Sequence, residues 1–295
     1  MSKADTKFQL IALDIDGTIR DETGNVTTFM KDVLTECQNR GAIVVAATGR
    51  TRISAMNYLQ EVPMIEFLAS FQGSLITRCK TDGFLWSTYM CSDQINTALD
   101  YLEEQDIEKV AYSGDQVYVE EITDWAHSYG LRSGVKIIEV DDLRSVQENV
   151  FRILAVGGIE EIKRIEKEMK NRFSNSLYAT RSLPHFCEIL NRNAGKDKAL
   201  QWLCEFYGID STAVISFGNG FNDVEMLRWS GLGVAIEEGE APALKAANDI
   251  ALPVKKDGVG RYLEQLILDE RICLLYTSDA ADEGLGVDLG GRRII

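Results

Sequence analysis

Residues 8–18 read FQLIALDIDGT, an apolar run that ends in Asp14 and Asp16, one residue apart, and then in Gly17. An apolar run without helical periodicity, closed by a turn residue, reads as a buried parallel strand. Ligands of open α/β sheets collect beyond the carboxyl ends of such strands. One turn can then aim the Asp14 side chain and the backbone around Asp16 at the same point, with Gly17 allowing close approach. That pairing suits a hard cation and an attacking carboxylate. A plain strand followed by an Asp-Gly turn would look the same in these residues alone.

Working outward, residues 28–40 place Phe29, Val33, Leu34 and Cys37 at helical spacing before Gly41, a C-cap signal. Residues 42–48 (AIVVAAT) are a second apolar run, so strand, helix and strand form a right-handed βαβ unit. Asp14 and Thr48 thereby fall at one edge of one parallel sheet. Residues 67–73 (FLASFQG) read as a third strand with a glycine stop, and 81–83 as a turn between β-rich segments. Beyond it the texture is α+β: Ile95, Leu99 and Leu102 mark one amphipathic helix, and Ile162, Ile165, Met169 and Phe173 another. The strands between them are read at 110–112, 116–119 and 151–156. From residue 188 the first texture returns, with a helix starting at Lys196, a strand at 213–217 and a loop GNGFND at 218–223. The expected architecture is α/β: a parallel-sheet core of residues 1–80 and 184–272, split by an α+β cap of residues 81–183.

The formal charge of −15 and pI near 4.7 argue against nucleic acid or an anionic membrane as partner, since phosphate backbones are bound through Lys and Arg. With no apolar run of membrane-spanning length and no basic-then-apolar start, the expected location is cytoplasmic. Six scattered cysteines lack metal or redox spacing, and only His127 and His185 are present, which disfavours a histidine cage or a Ser-His relay. Residues 273–295 resemble the in-frame translation of a transposase-type sequencing adaptor and its primer (CLLYTSDAADE, then VDLGGRRII), and are set aside as a non-functional tail. Without its four acids and two bases the chain stays strongly acidic.

Asp14 and Asp16, Thr48 and Gly49, and Asn219, Asn222 and Asp223 thus follow three strands of one sheet, with Lys196 opening the intervening helix. Carboxylates, amide oxygens and a lysine around glycine-rich turns hold a divalent cation and a phosphate together. On these residues the chain resembles the haloacid dehalogenase superfamily, and within it the Cof-type phosphatases with an α/β cap. The matching motifs are DIDGT at 14–18, ATGR at 47–50, Lys196 in GKDKAL at 195–200, and GNGFND at 218–223, over about residues 8–270. The resemblance implies a Rossmannoid core and a Mg²⁺-dependent phosphatase acting on a small phosphorylated metabolite, a sugar phosphate above all. It implies Asp14 as the nucleophile that becomes an aspartyl-phosphate. Asp16 would be the acid/base that also lends the metal its main-chain carbonyl. Gly17, Thr48, Gly49, Arg50, Lys196 and Asn222 would contact substrate, and Asp14, Asp16, Asn219 and Asp223 the metal. Arg50 has an interdomain salt bridge as its alternative. A phosphomutase, or a metabolite-binding protein with impaired catalysis, would use the same fold, as monomer or homodimer.

Two departures from the family pattern stand out. Asn219 replaces the usual Asp, which removes a negative charge beside the cation, and EEGE at 237–240 follows GVAI where the family commonly has Gly-Asn. The acidic run is expected to be a solvated loop. His185 is read as a structural or surface residue, and Trp86, Tyr89, Tyr112, Tyr118 and Trp125 as core or hinge aromatics.

Overall fold

The computed structural model describes residues 6–20, 24–81 and 83–272; the adaptor-like tail lies outside them. In chain order the strands are β1 (Leu10–Leu13), β2 (Ile43–Ala47), β3 (Phe67–Ser70), β4 (Leu75–Arg78), β5 (Gly83–Ser87), β6 (Glu108–Ser113), β7 (Gln116–Val119), β8 (Lys136–Glu139), β9 (Val150–Val156), β10 (Leu177–Leu183), β11 (Phe186–Asn191), β12 (Val214–Gly218), β13 (Leu232–Ile236) and β14 (Asp249–Ala251). The helices are α1 (Thr28–Asn39), α2 (Arg52–Leu59), α3 (Ser92–Glu103), α4 (Asp124–Ser133), α5 (Ile159–Phe173), α6 (Lys196–Tyr207), α7 (Val224–Trp229), α8 (Ala241–Ala246) and α9 (Gly258–Leu268).

Among the described residues, eight strands form one sheet in the order β14-β13-β12-β1-β2-β3-β4-β5, parallel from β14 to β3. Strand β1 is central because every one of its residues is apolar and buried, and both its edges are paired. Its alternate side chains feed two cores. Ile11 and Leu13 pack with Met30, Val33 and Leu34 of α1 and Leu263 of α9, while Leu10 and Ala12 pack with Leu200 and Leu203 of α6. Helix α1 starts where Thr27 accepts the Met30 N–H at 3.1 Å, and it is followed by Gly41 at φ 87°, close to the expected limits.

The other six strands form a largely antiparallel sheet, β10-β11-β9-β6-β7-β8. One face is covered by α3 and α5 through Ile95, Leu99, Ile162 and Met169. The opposite face carries Tyr112, Phe151 and Leu154 and packs against Phe71 and Leu75 of the first sheet's margin. This face roofs the carboxyl edge of the parallel strands.

Strand pairing shifts the expected boundaries. Strand β5 continues the β3-β4-β5 meander, so residues 83–87 belong to the eight-stranded sheet rather than to the insertion. Strand β11 pairs with both β10 and β9, so the return to the core follows Asn191 rather than residue 183. In both places a hairpin keeps the chain within its own sheet beyond the point where the residue texture changes. The third strand is also shorter than read: it stops at Ser70, because Phe71 and Gln72 turn into left-handed backbone, φ 49° and 55°.

Candidate active site

Three strand ends and one helix start meet at a single edge. Asp14 follows β1, residues 48–50 follow β2, residues 219–223 follow β12, and Lys196 begins α6. Lys196, 1 % exposed, donates from Nζ to Asp14 Oδ1 and to Asp223 Oδ1, each at 2.7 Å. Burial pushes the Asp14 carboxyl up to about 7, with the Lys196 ammonium pulling it down and the Asp223 and Asp16 charges pushing it further up. Burial opposes the charge on Lys196, but its two carboxylates prevail and hold it firmly protonated.

Lys196 thus sits behind the nucleophile candidate and does not line the cleft as the expected phosphate contact would. Lys196→Met would leave two buried carboxylates without their cation, at an expected cost of about 3–5 kcal/mol in urea unfolding at pH 7. Losing the ammonium that pulls the Asp14 pKa down raises it beyond about 7, so in the variant folding keeps a proton there that wild type gives up, and the deficit should grow as pH rises above 7. A variant with wild-type stability at pH 7 would refute this account of the pair.

Asp223 is also placed differently from expectation. Its Oδ1 is taken by Lys196 and its Oδ2 accepts the N–H groups of Asn219 at 2.9 Å and Gly220 at 2.8 Å, and the residue is fully buried. It holds the 218–223 loop in shape rather than facing a metal. Arg50 lines the cleft and also grips Asp16 bidentately, Nε to Oδ2 at 2.6 Å and Nη2 to Oδ1 at 2.7 Å, a pair within one sheet edge and not between the domains. Burial works against the Arg50 charge, and the Asp16 hydrogen bonds overcome it. The Tyr58 ring lies under both Arg50 and Arg20, at 4.2 and 3.6 Å.

The remaining loop residues close on Asn219. Its Oδ1 accepts from Thr18 Oγ1 at 3.1 Å and faces the Asp16 main-chain carbonyl and Asp14 Oδ2; with the amide turned over, Nδ2 would instead donate to these at 3.0 and 3.2 Å. Gly17, at φ 79°, packs directly beneath; a Cβ there would lie 2.4 Å from the Asn219 amide. Gly17 therefore makes room for Asn219 and is not among the residues lining the cleft.

The donor set fits a small hard cation. A carboxylate oxygen and a main-chain carbonyl both converge on the Asn219 amide, which presents its oxygen to them. Among the described residues no cluster of three His, Cys, Asp or Glu side chains has metal-binding placement.

The cleft above these groups measures about 790 Å³ and is lined by Asp14, Asp16, Thr48, Gly49, Arg50 and Asn222 from below. Its roof is Tyr112, Trp125, Tyr129, Arg152, His185 and Phe186. Trp125 and Tyr129 stack at 5.3 Å, and Phe186 meets Trp125 edge-on. His185, read as structural or surface, is exposed and lines the cleft. Tyr112 and Trp125 reach the cleft, whereas Trp86, Tyr89 and Tyr118 pack beside the cores. Of the acidic run, Glu240 lines the cleft, its N–H tied to the Asn219 carbonyl at 2.7 Å. Tyr58, Gln72, Arg152 and Glu188 were not foreseen. For the last two a signal existed, a charge inside an otherwise apolar strand.

A parallel sheet with an Asp pair, a threonine and a buried lysine at its carboxyl edge, roofed by an inserted sheet, defines a haloacid dehalogenase-like hydrolase. The sequence profile of that family matches residues 11–263, and the chain belongs to it. It is a Cof-type member, similar to phosphatases. The 5-amino-6-(5-phospho-D-ribitylamino)uracil phosphatase YitU of Bacillus subtilis is 27% identical over 272 residues, covering 88% of this chain and 98% of its own. A haloacid dehalogenase-like hydrolase from Bacteroides thetaiotaomicron superposes with a TM-score of 0.74 at 25% identity, covering 88% of this chain and all of its own. The fold is shared by the HAD subclass IIB sugar phosphatase BT4131, with a TM-score of 0.75 at 18% identity and coverage of 88% and 98%. No helix among the described residues is long and apolar enough to cross a membrane.

Proposed function

We propose that this phosphatase hydrolyses the monoester of a small phosphorylated metabolite, a sugar phosphate, through an aspartyl-phosphate on Asp14. The observation that carries this reading is the buried Asp14 carboxylate at the cleft floor, backed by Lys196, with Asp16 two residues on in the same cleft. Asp14 attacks phosphorus as the bond to the leaving alkoxide breaks, and Asp16 gives that oxygen its proton. Asp16, now a carboxylate, takes a proton from water as the water attacks the aspartyl-phosphate, releasing inorganic phosphate and restoring Asp14. Thr48 and the 48–50 turn hold the phosphoryl oxygens, and Arg50 keeps Asp16 oriented between its two tasks. Mg²⁺, held by Asp14, the Asp16 carbonyl and Asn219, would supply charge stabilisation for the transferring phosphoryl group.

One feature favours a second substrate class. The stacked Trp125 and Tyr129 with Phe186 offer a flat apolar wall suited to a phosphorylated polyol that carries a planar ring, and YitU is named for such a substrate. A panel of sugar phosphates, nucleotides and ring-bearing polyol phosphates, assayed by phosphate release with Mg²⁺ and with Asp14→Asn as blank, tests both. Turnover confined to sugar phosphates supports the first class, and preference for ring-bearing esters, lost in Trp125→Ala, supports the second. A panel with no turnover above the blank rejects the phosphatase reading.

A further inference from the structure

We propose that Arg152 and Glu188, on the roofing sheet, are positioning residues for the phosphoryl-binding turn, acting through the Gly49 carbonyl and through Gln72. The proposal rests on the phosphatase reading for its catalytic consequence. Arg152 lies on β9 and Glu188 on the neighbouring β11, where their side chains form an ion pair with both residues under 5 % exposed. Such a pair gains little for stability alone, because two apolar residues would pack there as well. Here both partners are also engaged elsewhere, and both of those bonds lead to the floor of the cleft.

Arg152 Nη1 donates to the Gly49 carbonyl at 2.6 Å. Glu188 Oε1 accepts from Gln72 Nε2 at 2.8 Å, and Gln72 Oε1 accepts from Asn222 Nδ2 at 3.0 Å. The Gln72 N–H donates to the Thr48 carbonyl at 3.0 Å, and the Phe71 N–H to the Arg50 carbonyl at 2.9 Å. All three carbonyls of the 48–50 turn are therefore tied down from outside the turn. Gly49 keeps this junction close, since a Cβ would stand 2.3 Å from Gln72 Nε2 and push that side chain aside.

The tie on Gly49 has a defined effect on Thr48. A trans peptide is planar with its C=O and N–H opposed, so drawing the Gly49 carbonyl toward Arg152 turns the Arg50 N–H the other way. That N–H donates to Thr48 Oγ1 at 3.2 Å. With an acceptor site of Thr48 filled, its hydroxyl proton is free for a phosphoryl oxygen. Two further observations show the junction is built for this arrangement. The Arg152 guanidinium lies 4.0 Å over the Tyr112 ring. Phe71 and Gln72 hold consecutive left-handed conformations, which only a firmly determined environment maintains in residues other than glycine.

The test compares wild type with Arg152→Met/Glu188→Gln, which removes both charges together and leaves an acceptor for Gln72, and with Arg152→Lys, which keeps a donor for Gly49. Inorganic phosphate affinity by calorimetry and kcat on the best panel substrate are read beside the thermal midpoint. The double variant should keep its midpoint within about 3 °C, bind phosphate at least about 10-fold more weakly, and lose about 10²-fold in kcat, the scale expected of a misplaced binding turn. Arg152→Lys should recover most of both. Unchanged phosphate affinity and kcat in the folded double variant would overturn the proposal, as would, if that variant does not fold, normal phosphate binding by Gly49→Ala. A wild type that binds phosphate yet hydrolyses no ester counts against the phosphatase reading, while the affinity comparison still decides the positioning.

Discussion

Asp14→Asn is expected to lower turnover by more than about 10⁴-fold while leaving the fold intact, the scale on which enzymes lose rate when a covalent nucleophile is removed. The substitution is isosteric, and the neighbours can accommodate it. Lys196 keeps Asp223 as its counter-ion and can still donate to the new amide oxygen. Thr18 can turn its hydroxyl to accept, and the Asn219 amide can present its oxygen to the new N–H₂. Burial already disfavours the charge on Asp14, so neutralising it relieves a cost rather than adding one. The unfolding free energy should therefore lie within about 1 kcal/mol of wild type, in contrast to Lys196→Met. Phosphate release and urea unfolding, measured on the same preparations, check the two halves. Turnover above one part in about 10² with an intact fold would remove Asp14 from the nucleophile role. A second readout is acid quenching during turnover, which should trap phosphoprotein in wild type and none in the variant.

The contrast between these two variants shows what was legible in the residues and what was not. Asp14, Thr48 and the 218–223 loop could be placed at one edge because buried parallel strands announce themselves as unbroken apolar runs, and their ends are marked by glycine. Which charges meet at that edge is a separate matter. Lys196 and Asp14 are 182 residues apart, and no periodicity encodes their pairing. Asp223 looked like a ligand because its residue type suits one, yet its two oxygens are claimed by Lys196 and by main-chain N–H groups of its own loop. The left-handed Phe71 and Gln72 follow from long-range bonds to residues 48 and 50, so local preference pointed to continued strand. Arg152 and Glu188 are the instructive omission. Each interrupts an apolar run, FRILAV and CEIL, and a charge within a buried strand requires a partner. Two such interruptions in one sheet point at each other, a rule that pattern reading by period alone passes over.

Asn219→Asp is expected to tighten Mg²⁺ binding by about 10- to 100-fold and to weaken the metal-free fold at the same time. The Asn219 amide lies 3.2 Å from Asp14 Oδ2 and 3.0 Å from the Asp16 carbonyl, the two oxygens proposed to hold the cation with it. With its oxygen turned to them it completes a set of three oxygens for a cation, and with its N–H₂ turned to them it can donate to both when no cation is bound. A carboxylate at the same place has no proton to donate, so without metal it would set an acceptor against two acceptors about 3 Å away. A unit charge pair near 4 Å is worth about 4 kcal/mol at an effective dielectric of 20, and the half-buried position reduces this to about 1.5–3 kcal/mol. The same interaction strengthens Mg²⁺ binding and, with the cation absent, repels Asp14. The measurable signature is a crossing: the variant should melt below wild type in chelator and gain more from saturating Mg²⁺, with calorimetry giving the two affinities directly. Equal Mg²⁺ affinity in the two proteins would show that the amide does not stand in the cation's place. A lower affinity in the variant would mean that Asn219 oxygen, not charge, is what the site is shaped to use.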